Sequence, residues 1–277
     1  MEKLKTGNYT IAELKTKLEE FSPSRELVEI LRQDSRKGVQ KLADRLENSL
    51  DREKTRRKRW QQRGKLRADL IDSGYQRVCG LDEAGRGALA GPVAAAAVIL
   101  PDDCYIPYLD DSKQLDPARR RQLAAEIKVK SVCWQVEMVS PAEIDRSNIS
   151  RATKMAMNKA IKSLAPQPEY LLIDGRIKLE NVQLPQQHIE QGDARINSIA
   201  AASILAKVTR DSFMACCNSY FPSYNFAHNM GYGTERHRNA LEKYGPSILH
   251  RRSYKTVKDA CKIRKRQRLP FVEQEEN

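Results

Sequence analysis

Residues 80–100 read GLDEAGRGALAGPVAAAAVIL. Two acids, Asp82 and Glu83, close a β-prone run that starts at Arg77, glycines follow at 85, 87 and 91, and a second apolar run covers Val93 to Leu100. The two runs read as strands joined by a glycine-rich connection. Side chains alternate across a strand, so Asp82 and Glu83 cannot both face one site from regular geometry, and the strand is expected to end or bulge at the pair. Glycine supplies the dihedrals for that and lets backbone approach a ligand with no Cβ in the way. The spacing matches neither G-x-G-x-x-G nor the phosphate loop ending in G-K-S/T, which argues against a nucleotide cofactor. On its own, an acidic pair beside a glycine turn is a weak signal, more commonly explained by a solvated turn.

Working outward, short β-prone runs alternate with helical ones, the pattern of a mixed α/β domain. Val132 to Val139, Tyr170 to Ile173 and Gln187 to Glu190 read as further strands, and residues 117–128, 151–164 and 196–214 have helical periodicity. The first 70 residues differ in texture, with 19 basic and 12 acidic side chains and no aromatic between Phe21 and Trp60. Apolar steps at Leu14, Leu18 and Phe21, at Leu27, Ile30 and Leu31, and at Val39, Leu42 and Leu46 predict two or three short amphipathic helices there. The run 51–67, DREKTRRKRWQQRGKLR, is too charged to bury. It reads as a solvated helix or linker, with Trp60 leaving open a nucleic-acid-binding arm. Beyond Tyr254 the chain is basic and then acidic, with no clear contribution to a core. The expected organisation is a charged helical extension over 1–70, a catalytic domain over 75–254 and a tail over 255–277.

The 277 residues carry 49 Lys and Arg against 36 Asp and Glu, a formal charge of +13. Such an excess makes an anionic polymer or surface the first partner to consider. The longest apolar stretch is the eight residues Val93 to Leu100, far below the roughly 18 that a membrane span needs. The opening residues lack the apolar core of a secretory signal, so a cytoplasmic location is expected. Six cysteines form no C-x-x-C pair and are expected to be reduced.

Asp82 and Glu83 have two acidic companions. Asp174 stands where the YLLI run meets Gly175, and Asp193 lies just ahead of the 196–214 helical run. An Asp closing a buried strand is exposed at the carboxyl edge of a sheet, where open α/β folds place ligands, while an Asp ahead of a helix can equally be an N-cap. Taken together, four carboxylates at strand ends and a helix start suggest convergence on one spot. Two carboxylates about 4 Å apart repel by roughly 4 kcal/mol at an effective dielectric of 20, so such a cluster implies bound cations. Oxygen ligands without histidine or cysteine favour magnesium or manganese. In a basic cytosolic protein, that combination points to phosphoryl chemistry on a nucleic-acid backbone.

The same residues resemble the type 2 ribonucleases H, specifically bacterial ribonuclease HII. After GLDEAGRGALAGPVAAAAVIL, five more blocks follow in that family's order: DSKQL at 111–115, LLIDG at 171–175, GDARINSIAAASILAKVTRD at 192–211, GYGTERH at 231–237 and HRRSY at 250–254. The resemblance implies a ribonuclease H-like mixed sheet flanked by helices, with the N-terminal helical extension as an addition. It implies metal ligation, Mn2+ or Mg2+, by Asp82, Glu83, Asp174 and Asp193. The implied activity is endonucleolytic cleavage of RNA in RNA/DNA hybrids and 5′ of single ribonucleotides in duplex DNA, leaving 3′-hydroxyl and 5′-phosphate ends.

Only a 2′-hydroxyl separates such a substrate from ordinary DNA, so discrimination needs groups close to one ribose. Gly85, Arg86 and Gly87 suit that task, the peptide groups bonding the hydroxyl and Arg86 holding an adjacent phosphate. Tyr232 resembles the family's junction-sensing tyrosine, the alternative being a surface-packed loop residue. Lys113 and Lys207 are candidate phosphate contacts. Asp211 is expected to pair with Lys207 or Arg210 rather than bind metal, and His237 and His250 receive no chemical role. Met230 stands where relatives often carry a lysine, so one phosphate contact is expected to be missing. The expected partners are RNA/DNA hybrid and ribonucleotide-containing duplex DNA, with no membrane and a monomeric chain. A rival reading is a basic nucleic-acid-binding protein without catalysis, its acids serving as caps and turn residues.

Overall fold

The structure, a computed structural model, describes residues 5–109 and 115–268. The chain divides into two compact units, one ending at Gln62 and one beginning at Arg63.

In the first unit, Thr10 starts α1 (Ile11–Leu18) with a capping box, its hydroxyl accepting from the Glu13 amide while the Glu13 carboxylate accepts from the Thr10 amide. Ser24 caps α2 (Arg25–Arg32) in the simpler way. The third helix, α3 (Lys37–Asp72), runs without a break through the charged stretch and across the unit boundary. The stretch is thus a helix rather than a linker, and pairs such as Glu53 with Arg56 and Arg57, each at 3.0 Å, support its exposed face. The apolar steps read from the sequence close one small core, in which Leu14, Leu27, Val28, Leu31, Val39, Leu42 and Ala43 are buried. Arg36 ties the turn between α2 and α3 to the N-terminal segment, donating to the carbonyls of Tyr9 and Thr6 at 2.8 Å each.

The second unit is built on a five-stranded mixed sheet of β1 (Val78–Ala84), β2 (Val93–Ile99), β3 (Cys133–Val139), β4 (Tyr170–Asp174) and β5 (Gln186–Ile189). Its order is β3-β2-β1-β4-β5; the first three strands form an antiparallel meander, and β4 and β5 run parallel to β1. One expectation is corrected here. β1 neither ends nor bulges at Asp82 and Glu83, which pair with Ala96 and Ala95 of β2 before Ala84 meets Ala94. The alanines of β2 keep that ladder regular, so the two acids leave the strand on opposite faces.

Between these strands lie α4 (Pro117–Lys130), α5 (Pro141–Ser147) and α6 (Ile149–Lys162). Ala152, Ala156, Met157, Ala160 and Ile161 of α6 pack with Leu81, Ala95, Ala97, Leu171 and Ile173 on one face of the sheet. After β5 comes one short turn, α7 (Gly192–Arg195), and then α8 (Asn197–Cys217), which covers the opposite face. Gly80 shows how close that approach is, since a Cβ there would overlap the backbone of Ser198 and Ile199. Ala200, Ala201 and Ala202 of α8 are fully buried, small residues that let the helix pack closely on the sheet.

The chain closes with α9 (Phe226–Asn229), α10 (Glu235–Tyr244) and α11 (Lys255–Arg268). The segment after Tyr254 does contribute to the core, contrary to expectation. Val257 and Ala260 are buried with Leu89 and Leu241, a contact made by two small residues too sparse to register as a periodic pattern.

Candidate active site

Parallel pairing sets the site. Leu81 of β1 lies opposite Ile173 of β4, so Asp82 and Asp174 stand side by side one step further on, on strands about 4.8 Å apart. Both are on the α8 face, because Gly80 and Leu172, two residues back in each strand, form a facing pair on that side. Asp82 is buried, and its Oδ1 accepts from the Glu83 amide at 2.7 Å. Burial, followed by the charges of Glu83 and Asp174, drives the Asp82 carboxyl well above the ordinary carboxylate range, against a lowering hydrogen bond from Ser203.

Glu83 is also pushed up by burial and by Asp174, with Arg86 pulling the other way. Its Oε1 accepts from Arg86 Nη1 at 3.1 Å, while its buried Oε2 has no hydrogen-bond partner. Asp174 Oδ1 accepts from the Gly192 amide at 2.6 Å. That bond brings the β5–α7 turn against the end of β4 and places Asp193, the next residue, beside it. Arg63 fixes the turn by donating to the Asp193 carbonyl at 2.7 Å.

The chain therefore brings Asp82, Glu83, Asp174 and the backbone of Asp193 to one end of the sheet. Among the described residues, no three carboxylate, imidazole or thiol groups converge on a ready-made cation position. The donor set nevertheless fits a hard divalent cation. It is all oxygen, the charges of Glu83 and Asp174 raise the proton affinity of Asp82 and that of Asp174 raises Glu83, and one buried carboxylate oxygen lacks a partner.

Beside the acids is a cleft of about 250 Å³ whose walls include Glu83, Gly85, Arg120, Ser203, Lys207 and Tyr232. Lys207 reaches it from α8, paired with Asp211 at 2.6 Å, the partner expected for that acid. The Tyr232 ring is within cation–π reach of both Lys207, 5.8 Å from its centroid, and Arg210, 5.3 Å from it. Gly87 has open space where a Cβ would be, as an approach to ligand requires. Gly85 is a glycine for another reason: its φ is +89°, and a Cβ would overlap the buried Arg210 guanidinium. Lys113 lies outside the described residues. Sequence reasoning gives Ser203 and Arg120 no role and offers Arg210 only as a possible partner of Asp211. Only the helical spacing of Ser203 and Arg210 from Lys207 could have placed them near the same surface.

The family model for ribonuclease HII matches residues 79–257, and that for the ribonuclease HII N-terminal domain matches residues 10–66. The chain belongs to the ribonuclease HII family. Ribonuclease HII of Geobacillus thermodenitrificans (strain NG80-2) is 48% identical over 256 residues, 92% of this chain and 98% of that protein. Ribonuclease HII of Geobacillus kaustophilus (strain HTA426) is 45% identical over 254 residues, covering 92% and 97%. The fold matches ribonuclease H2 from Pyrococcus horikoshii OT3, with a TM-score of 0.61 at 23% identity over 70% of this chain and all of that one. It also matches the structure of the PCNA:RNase HII complex from Archaeoglobus fulgidus, with a TM-score of 0.57 at 28% identity over 65% of this chain and 95% of that one.

Membership makes the chain a ribonuclease H endonuclease acting on nucleic acid and sets aside the non-catalytic rival. The N-terminal helices are a family domain and not an extension peculiar to this chain. Among the described residues, no helix is long and apolar enough to cross a membrane.

Proposed function

We propose that this member of the ribonuclease HII family cuts the RNA strand of RNA/DNA hybrids and the phosphodiester 5′ of a single ribonucleotide in duplex DNA, leaving 3′-hydroxyl and 5′-phosphate ends. Primer removal and ribonucleotide repair in the cytoplasm are the corresponding roles. The observation that carries the reading is the side-by-side placement of Asp82 and Asp174 at the carboxyl ends of parallel strands, with the partly buried Glu83 next to them.

Asp82, Glu83, Asp174 and Asp193 would hold Mn2+ or Mg2+. A fold relative at 21% identity, Bst-RNase HIII, is described in complex with Mn2+. When bound, such ions activate a water and stabilise the departing 3′ oxygen. The remaining work falls to side chains and peptide groups of this chain. The turn at Gly85, Arg86 and Gly87 presents backbone to the ribose 2′-hydroxyl, and the open space at Gly87 admits the sugar edge. Arg86, held by Glu83, is placed to meet an adjacent phosphate, and Lys207 to meet another. Tyr232, 36% exposed on the cleft wall, is positioned to stack on the sugar that follows the ribonucleotide.

The test is cleavage of a duplex carrying one embedded ribonucleotide, with manganese, with magnesium and with chelator, the ends being mapped by enzymatic labelling. Cutting 5′ of the ribonucleotide that stops in chelator supports the reading. Cutting confined to long hybrids would restrict the activity and remove the junction role of Tyr232.

A further inference from the structure

Two arginines, Arg210 of α8 and Arg251 just ahead of α11, are completely buried, and among the described residues neither is hydrogen-bonded to a carboxylate. A buried guanidinium is costly unless its donors are satisfied, and here backbone carbonyls satisfy them. Arg251 donates to the carbonyls of Gly85 (2.7 Å), Arg86 (2.8 Å), Gly91 (2.9 Å) and Pro92 (3.1 Å), and to the Tyr254 hydroxyl (3.0 Å). Arg210 donates to the carbonyls of Pro92 (2.9 Å), Ala90 (3.1 Å) and Met230 (2.9 Å). The two forks share the Pro92 carbonyl. They therefore join the turn that would read the ribose to the loop that carries Tyr232.

This clasp has a directional consequence. In a trans peptide the C=O and the next N–H point opposite ways. With the Gly85 and Arg86 carbonyls turned inward onto Arg251, the amides of Arg86 and Gly87 are turned outward. Neither amide donates to a protein acceptor among the described residues. The Tyr254 hydroxyl adds a second donor to the Arg86 carbonyl at 2.7 Å. At the other end, the Arg210 guanidinium lies under the Tyr232 ring, and Gly231 accepts from the amides of Leu89 (2.8 Å) and Ala90 (3.2 Å), closing the link between the two loops.

We infer that Arg210 and Arg251 are positioning residues for ribose recognition: their carbonyl clasp aims the Arg86 and Gly87 amides at the 2′-hydroxyl and fixes Tyr232 at the matching distance. The inference rests on the proposed function, which supplies the sugar on which both loops act. A lysine at either place keeps the charge but lacks the planar fork, so it cannot hold the carbonyls in the same planes.

The experiment uses the full-length chain with Arg210→Lys, Arg251→Lys and the milder Tyr254→Phe. Each is assayed for kcat and KM on a duplex with one ribonucleotide and on a long RNA/DNA hybrid, with manganese affinity and melting temperature measured alongside. The expected result is a kcat/KM on the single-ribonucleotide duplex that falls about tenfold or more further than on the long hybrid for the two lysine variants, since small misplacements of a reading group are costly. Tyr254→Phe should shift the same ratio by a smaller factor, with manganese affinity unchanged in all three. An equal fall on both substrates, or no fall in a folded variant, overturns the inference. Should a lysine variant not fold, Tyr254→Phe decides by the same ratio. If the unaltered enzyme fails to cut the single-ribonucleotide duplex, the proposed function fails instead, which keeps the two failures apart.

Discussion

His237 and His250 lie ring to ring in the core, their Nε2 atoms 3.0 Å apart. The bonds on either side assign the tautomers. The Ser247 amide donates to His250 Nδ1 at 3.0 Å, so His250 carries its proton on Nε2 and donates to His237 Nε2. His237 then carries its proton on Nδ1 and donates to the Tyr232 carbonyl at 2.8 Å. Both rings are neutral links in a chain that ends on the tyrosine loop, a structural role that no reading of the sequence assigned them.

That chain predicts an acid-sensitive fold. Burial, then the neighbouring His237, pushes the His250 imidazole down from 6.5 to about 3, and burial lowers His237 as well. In the unfolded chain each ring takes its proton near 6.5, so the stabilisation is complete above that value and is lost as pH falls from there toward about 3. His250 alone should remove about 1.4 kcal/mol for each pH unit below 6.5. Thermal melts between about pH 7 and about pH 5 check this; a melting temperature that stays level would contradict it.

Asp82 predicts the opposite sign in the metal-free protein. Its raised carboxyl, driven by burial and the Glu83 charge, makes ionisation unfavourable in the fold, so its contribution is present at acid pH and fades as pH rises above the unfolded value. Asp82→Asn should stabilise the metal-free protein at neutral pH, by about 1–3 kcal/mol, while abolishing cleavage. Manganese should raise the melting temperature of the unaltered chain and have little effect on the variant. Equal shifts in both would remove Asp82 from the cation site.

Asp174→Asn separates binding from chemistry. The asparagine carbonyl can still accept the Gly192 amide, so the β5–α7 turn should hold its place while the site loses one negative charge. Hybrid binding should stay within about twofold and turnover should fall by about 10³ or more. Parallel loss of binding and turnover would show that the residue shapes the groove instead.

Gly85 and Gly87, separated only by Arg86, should behave differently. Gly85→Ala meets the Arg210 guanidinium and a φ of +89°, and should cost about 2 kcal/mol or more in stability. Gly87→Ala meets open space, so its melting temperature should change little while cleavage beside a single ribonucleotide weakens. Similar melting temperatures for the two variants would contradict the separate reasons given for these glycines.

Much of the site is legible in the sequence. Alternating apolar runs located the five strands to within a few residues, and Asp174 was recognised as a strand-closing acid. Less visible was the continuation of β1 through Asp82 and Glu83, because a charged pair looks like a strand end unless the alanines of its antiparallel partner are already known. The clasp of Arg210 and Arg251 was hidden for a related reason. Most of its bonds join residues more than a hundred positions apart and end on backbone carbonyls, which carry no signature in side-chain pattern. The imidazole pair was present as two unremarked histidines, and only the fold brings them together.

The most direct test of the central claim is anomalous diffraction at the manganese edge from crystals of the full-length enzyme soaked in Mn2+. Density lying against the carboxylates of Asp82, Glu83 and Asp174 and absent in Asp82→Asn is the predicted result. An active, manganese-dependent enzyme whose only anomalous density lies away from those three side chains would contradict it.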